Sequence, residues 1–274
     1  MDYLVRVKNR MGEKHPKSAA KLITLIGRLR SRAQRTLRVT FDGDDWVHTW
    51  LEGVRIAEVP STLPHRAVQE NMPLFFYRFE PSEGQTIVDV GAGDGTEVVA
   101  FSNLVGDKGR LICIEADPEA FRRLSKAVRI AGLTNVTLVD KAVTDQGGQV
   151  TLSQSAGPAA LSNSLMVNSD GGIAVPATTL DRLLDELGID EVDYLKMNIE
   201  GAEVPALKGF ATGPRRVRNW CISCHDHQGK PETATHEWVG EWLRGNGLTV
   251  WQHEPNDERP WETYYLYARP AGPA

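Results

Sequence analysis

Apolar positions along this chain change period several times, and each change marks an element. Leu22, Ile23, Leu25, Ile26, Leu29, Ala33 and Leu37 recur at helical spacing, with Lys21, Arg28, Arg30, Arg32, Arg35 and Arg38 interleaved, which predicts a basic amphipathic helix. Trp46-Val47-His48-Thr49-Trp50 then alternates, Leu51-Glu52-Gly53 offers a turn and Val54-Arg55-Ile56-Ala57 resumes, so a hairpin is expected. Pro60 and Pro64 break the chain before a helix over 65–79. Short apolar runs at 86–90, 111–115, 136–139, 192–197 and 220–224 read as strands. Helical stretches at 118–131, 180–187, 204–210 and 233–244 separate the later ones. The segment 153–172, rich in Ser, Gly and Asn, reads as a loop with at most a short edge strand. Strands at 248–252 and 263–267 close the series with no helix between them.

Repeated βα units imply a parallel sheet with helices on both faces, and a closing pair without a crossover helix implies antiparallel strands at one edge. The expected fold class is therefore α/β, Rossmann-like, with a mostly parallel sheet and an antiparallel edge strand. Residues 1–80 are expected to form an N-terminal helix and hairpin extension, and 81–274 the main domain.

Composition narrows the setting. A chain of 274 residues with 41% hydrophobic content can bury a full core. No run is apolar enough to span a bilayer or to act as a secretory signal, and three cysteines without framework spacing fit a reducing compartment, so a cytoplasmic location is expected. The net charge of −5 conceals an asymmetry: residues 1–40 carry 11 Lys or Arg against Asp2 and Glu13, a balance of +9, and the remainder is −14. The basic arm suits a membrane surface, a nucleic acid or an anionic substrate, or else a helix docked on the acidic body or on a second subunit of a homodimer. The acidic body and the lack of an aromatic-basic module argue against a nucleic-acid partner, leaving the arm as the sole support for an RNA substrate.

Chemistry concentrates where the strands end. The run Asp89-Val90-Gly91-Ala92-Gly93-Asp94-Gly95-Thr96-Glu97 turns a strand through glycines into a helix, which brings bare backbone against a nucleotide-like cofactor. Asp94 and Glu97 would repel a pyrophosphate and welcome an ammonium, which favours S-adenosylmethionine over a dinucleotide such as NAD. Glu115 and Ala116 follow the next strand, where a carboxylate can accept from ribose hydroxyls, and Asp140 and Lys141 follow the third, within reach of an adenine amino group.

The fourth strand reads Asp193-Tyr194-Leu195-Lys196-Met197-Asn198-Ile199-Glu200-Gly201-Ala202-Glu203. With the glycine loop, Glu115, Ala142-Val143 and Thr179-Leu180-Asp181, it resembles the FkbM family of S-adenosylmethionine-dependent methyltransferases over roughly residues 80–230. That family's usual signature, D-x-x-K-x-D-x-E-G-x-E, has an aspartate where this chain has Asn198. The resemblance implies a class I methyltransferase fold and methylation of a hydroxyl on a small molecule, often a sugar or polyketide.

An alcohol must shed a proton as it is methylated, through a base or a metal ion. His225 is the first candidate base, with Glu200 orienting it or the substrate, and Asn198 as a polar contact to both cofactor and acceptor. The family often places an acid two residues before such a histidine. Ser223 stands there, so a carboxylate partner is missing from the local sequence. Asn198, Glu200, His225, Asp226 and His227 could together offer ligands to Mg²⁺, although neighbours on an extended segment face opposite ways. Asn198 and Ser223 also admit a non-catalytic, cofactor-binding interaction protein. Cys221 and Cys224 are expected to be buried thiols, and the aromatic residues near both ends, Trp261 among them, core or interface.

Overall fold

The computed structural model describes residues 15–152, 172–226, 229 and 234–271. Helix α1 (Pro16–Arg30) begins with a proline, which is tolerated in the first turn because its missing N–H would have no partner there, and stops at Ser31, whose backbone is extended. Strands β1 (Arg38–Phe41), β2 (Trp46–Trp50) and β3 (Gly53–Ala57) follow as an antiparallel sheet, so the expected hairpin gains a strand.

Helix α1 is not oriented as its leucines suggest. Its buried side is Ala19, Ala20, Ile23 and Gly27, and Leu22, Leu25, Ile26 and Leu29 face outward. Close approach explains the choice: a Cβ on Gly27 would meet Leu37 Cδ2 at 2.3 Å, so only the small-residue side fits against this layer. Ala33 and Leu37 lie beyond the helix, Leu37 buried beneath it.

The rest alternates. Helix α2 (Arg66–Phe75), shorter than expected and with Pro73 inside its last turns, leads to β4 (Thr86–Val90), α3 (Val98–Val105), β5 (Arg110–Ile114), α4 (Pro118–Ala131) and β6 (Val136–Val139). Three strands that the periodicity missed, β7 (Ala142–Val143), β8 (Gly148–Leu152) and β9 (Ile173–Thr178), make a small second sheet in the order β7-β9-β8. β7 has two residues, too few to show a period, and the expected loop at 153–172 lies outside the described residues except for Gly172. The chain continues through α5 (Leu180–Glu186), β10 (Tyr194–Met197), α6 (Glu203–Lys208), α7 (Gly213–Arg216), β11 (Trp220–Ser223), α8 (His236–Gly245), β12 (Leu248–Gln252) and β13 (Tyr265–Pro270).

The main sheet has the order β12-β13-β11-β10-β4-β5-β6. Strands β11 to β6 pair in parallel; β13 is antiparallel to both neighbours and lies one place in from the edge. Alternation sends Val88, Ile112, Leu195 and Ile222 into one apolar layer, and Ile87, Cys113, Tyr194 and Cys221 into the other. The second layer also receives Val54 and Ile56 of β3 and Leu124 and Ala127 of α4. At that junction Asp45, fully buried, accepts from Arg122 at 2.7 Å, Lys126 at 2.6 Å and Arg123 at 3.2 Å. Burial alone would raise the Asp45 carboxyl; the three cations outweigh it and hold it far below its ordinary range. Strand order reverses at β4 and β10, the place where open α/β sheets bind ligands.

Candidate active site

Beyond the carboxyl end of β4, the backbone turns through Gly91, whose φ is 81°. A Cβ there would lie 2.0 Å from the Asn198 carbonyl oxygen, so only glycine lets the ends of β4 and β10 come this close. Gly93, φ 58°, has nothing within 4 Å of its missing Cβ and presents bare backbone to a cleft. Its N–H donates to Glu115 Oε2 at 2.7 Å, and Asp117 N–H donates to Glu115 Oε1 at 2.8 Å. Burial pushes the Glu115 carboxyl up, and the two N–H groups oppose that.

The cleft encloses about 610 Å³, its open mouth included. Gly91, Gly93, Glu115, Ala116, Lys141, Asn198 and Glu200 come together on its walls. Apolar lining comes from Ala120, Val143 and Leu152, the last on a strand the sequence reading missed although Val150 and Leu152 alternate with polar neighbours. Asp89, Ala92, Asp94, Gly95, Thr96, Glu97 and Asp140 lie off this wall. Asp94 closes a turn, accepting from Thr96 N and Oγ1 at 3.2 and 2.6 Å. Glu97 accepts from Asn71 Nδ2 at 2.8 Å, and burial pushes its carboxyl up. Asp140 is exposed.

Asp89 and Lys196 are register partners on β4 and β10, with Nζ 2.8 Å from Oδ1 and 2.8 Å from the Gly91 carbonyl oxygen. Burial would strip the Lys196 proton; Asp89 and Glu97 together keep it on. This pair ties the glycine loop to the fourth strand from beneath.

At the other wall, Glu200 holds φ 54°, the single non-glycine residue with positive φ among those described. Its Oε1 is 3.3 Å from His225 Nε2, and His225 Nδ1 is 3.2 Å from Glu203 Oε1. Glu203 is fully buried; the same Oε1 accepts from the Ile199 and Gly201 N–H groups at 3.3 Å, and Oε2 accepts from Thr235 Oγ1 at 3.0 Å. Burial pulls the imidazole down, and the two glutamates override it, raising His225 to about 9. The partner missing at Ser223 is thus supplied twice by the neighbouring strand end.

The family model of the methyltransferase FkbM domain matches residues 89–248, more than half of the chain. The chain belongs to this family. An FkbM-type methyltransferase uses S-adenosylmethionine, and the bare Gly93 backbone, the Glu115 carboxylate and the apolar wall fit that molecule. Among curated relatives, the 2-O-methyltransferase NoeI of Sinorhizobium fredii is 28% identical over 139 residues, covering 45% of this chain and 56% of NoeI. The hexuronic acid methyltransferase AglP of Haloferax volcanii is 23% identical over 146 residues, covering 53% of this chain and 58% of AglP. The chain thus matches little more than half the length of each. A solved FkbM methyltransferase from Methylobacillus flagellatus is similar at 21% identity with a TM-score of 0.47, covering 70% of this chain and 44% of that one.

Among the described residues of this FkbM-family chain, no group of three or more His, Cys, Asp or Glu could hold a metal ion. Asp226 instead accepts from the N–H groups of Thr235 and His236 at 3.1 and 3.0 Å, at the start of α8, and His227 lies outside the described residues. Cys113, Cys221 and Cys224 are buried free thiols.

Proposed function

We propose that this methyltransferase alkylates a hydroxyl of a sugar or glycoside, with Glu200 rather than His225 receiving the hydroxyl proton. The observation that carries the assignment is the Glu200–His225–Glu203 chain. Both imidazole nitrogens face carboxylates and the ring holds its proton near neutral pH, which suits it to orienting Glu200. Glu200 itself lines the cleft, so an acceptor oxygen placed there meets a fixed carboxylate. S-adenosylmethionine, when bound, supplies an electrophilic methyl group. The chain's contribution is to align the acceptor, take its proton at Glu200 Oε and keep that carboxylate from turning away.

Methylation on oxygen is supported by the 2-O-methyltransferase NoeI, and a sugar acceptor by the hexuronic acid methyltransferase AglP. A sugar is supported also by a polar groove in which Trp261, 44% exposed, stands among Arg66, Glu70, Asn71 and Arg259. An exposed indole can stack on the C–H face of a sugar ring while such polar groups meet its hydroxyls.

The test is methyl transfer from labelled S-adenosylmethionine to a panel of glycosides and hydroxylated metabolites. A hydroxyl-bearing sugar should be labelled, and Glu200→Gln should lower kcat about 100-fold or more with S-adenosylhomocysteine affinity kept. Label on nitrogen, carbon or RNA would overturn the acceptor class. S-adenosylhomocysteine binding with no transfer to any acceptor would support a non-catalytic binding protein.

A further inference from the structure

Helix α1 carries a second apolar face that nothing described covers. Leu22, Leu25, Ile26 and Leu29 follow i, i+3, i+4, i+7 spacing and are 45, 57, 37 and 79% exposed, while the opposite small-residue face packs on Leu37, Val39 and Trp46. Four of the nine exposed large hydrophobic side chains among the described residues sit on these two turns. Scattered exposure of that kind is ordinary, but a contiguous stripe marks a contact surface.

Charge identifies the partner. From His15 to Phe41 the sequence has seven Lys or Arg and no Asp or Glu. Lys21 and Arg32, both exposed, are among them. A second copy meeting this face about a two-fold axis would set the basic segment against itself. An anionic bilayer meets both demands at once, because leucines enter the acyl boundary while Lys and Arg lie at the headgroups. No helix among the described residues is long and apolar enough to cross a membrane, so the contact is parallel to the surface.

We propose that α1 docks this protein on anionic lipid surfaces through Leu22, Leu25, Ile26 and Leu29. The small inner face exists to hold the helix on its sheet so that the leucines point away.

The full-length chain should co-sediment with phosphatidylcholine vesicles containing about one-third phosphatidylserine, at least about tenfold better than with phosphatidylcholine alone. Leu25→Glu with Leu29→Glu should abolish binding to both vesicles, and Lys21→Glu with Arg32→Glu should erase the preference for anionic lipid. All four side chains are exposed, and unchanged thermal melts would show that the variants fold. Failure to bind anionic vesicles would overturn the proposal, as would full binding by the leucine variant. So would a dimer that the leucine variant dissolves without any vesicle binding, or salt-sensitive RNA binding in place of lipid binding.

Discussion

Lys196 faces Asp89 across the β4–β10 pair, Nζ to Oδ1 at 2.8 Å, each side chain only 4% exposed. Two opposite charges buried together are tolerable; one alone is not. Asp89→Asn should cost about 3–5 kcal/mol in urea unfolding, and Asp89→Leu combined with Lys196→Met less than either single change. An additive double variant would show that the pair is not coupled.

His225 sets a pH limit. Its proton is bound more tightly in the fold than in the unfolded chain, since the value rises from 6.5 to about 9. The stabilisation is therefore complete below about pH 6.5 and lost as pH rises through about 9. The gap between the urea midpoints of the wild type and His225→Gln should shrink over that interval. Activity should fall as pH rises through about 9, where the folded protein loses the imidazolium proposed to orient Glu200.

Gly91 and Gly93 should respond differently to alanine. At Gly91 the new Cβ would strike backbone oxygen, so Gly91→Ala should unfold at markedly lower temperature. At Gly93 there is room, and the cost is the left-handed backbone alone, about 1–2 kcal/mol. Calorimetry on Gly93→Ala should show weakened S-adenosylhomocysteine binding in a chain that still folds.

Asp45 should act as the acid-sensitive clasp of the N-terminal layer. Its folded value is depressed, so its stabilisation is present above about pH 3.8, the unfolded value, and is lost as pH falls further. Asp45→Asn should cost about 2–4 kcal/mol at neutral pH, and the penalty should fade in an acid titration followed by circular dichroism.

The main sheet was legible because its strands are buried on both faces and read as uninterrupted apolar runs between glycine and proline breaks. The cleft's glycine loop, Glu115 and Glu200 were legible because strand ends at a switch point have few other reasons to be Gly- and Glu-rich. What escaped was relation across distance. Nothing near Ser223 announces that Glu203 will reach His225, and Asn71 gives no sign that it will meet Glu97 from a helix 26 residues earlier. Helix α1 misled for a different reason. Periodicity located its apolar residues but could not tell that small side chains, not leucines, would decide which face fits the sheet.

Strand β13 is made after β12, yet it lies between β12 and β11 and bonds to both. During synthesis β12 therefore has no neighbour in the sheet until β13 emerges, and the Tyr267 hydroxyl that donates to Leu74 O at 2.7 Å arrives in the same step. The β11 edge stays open until then, an unpaired template for other chains on the ribosome. Insertion of this one late strand completes the sheet and adds the Tyr267 tie to helix α2.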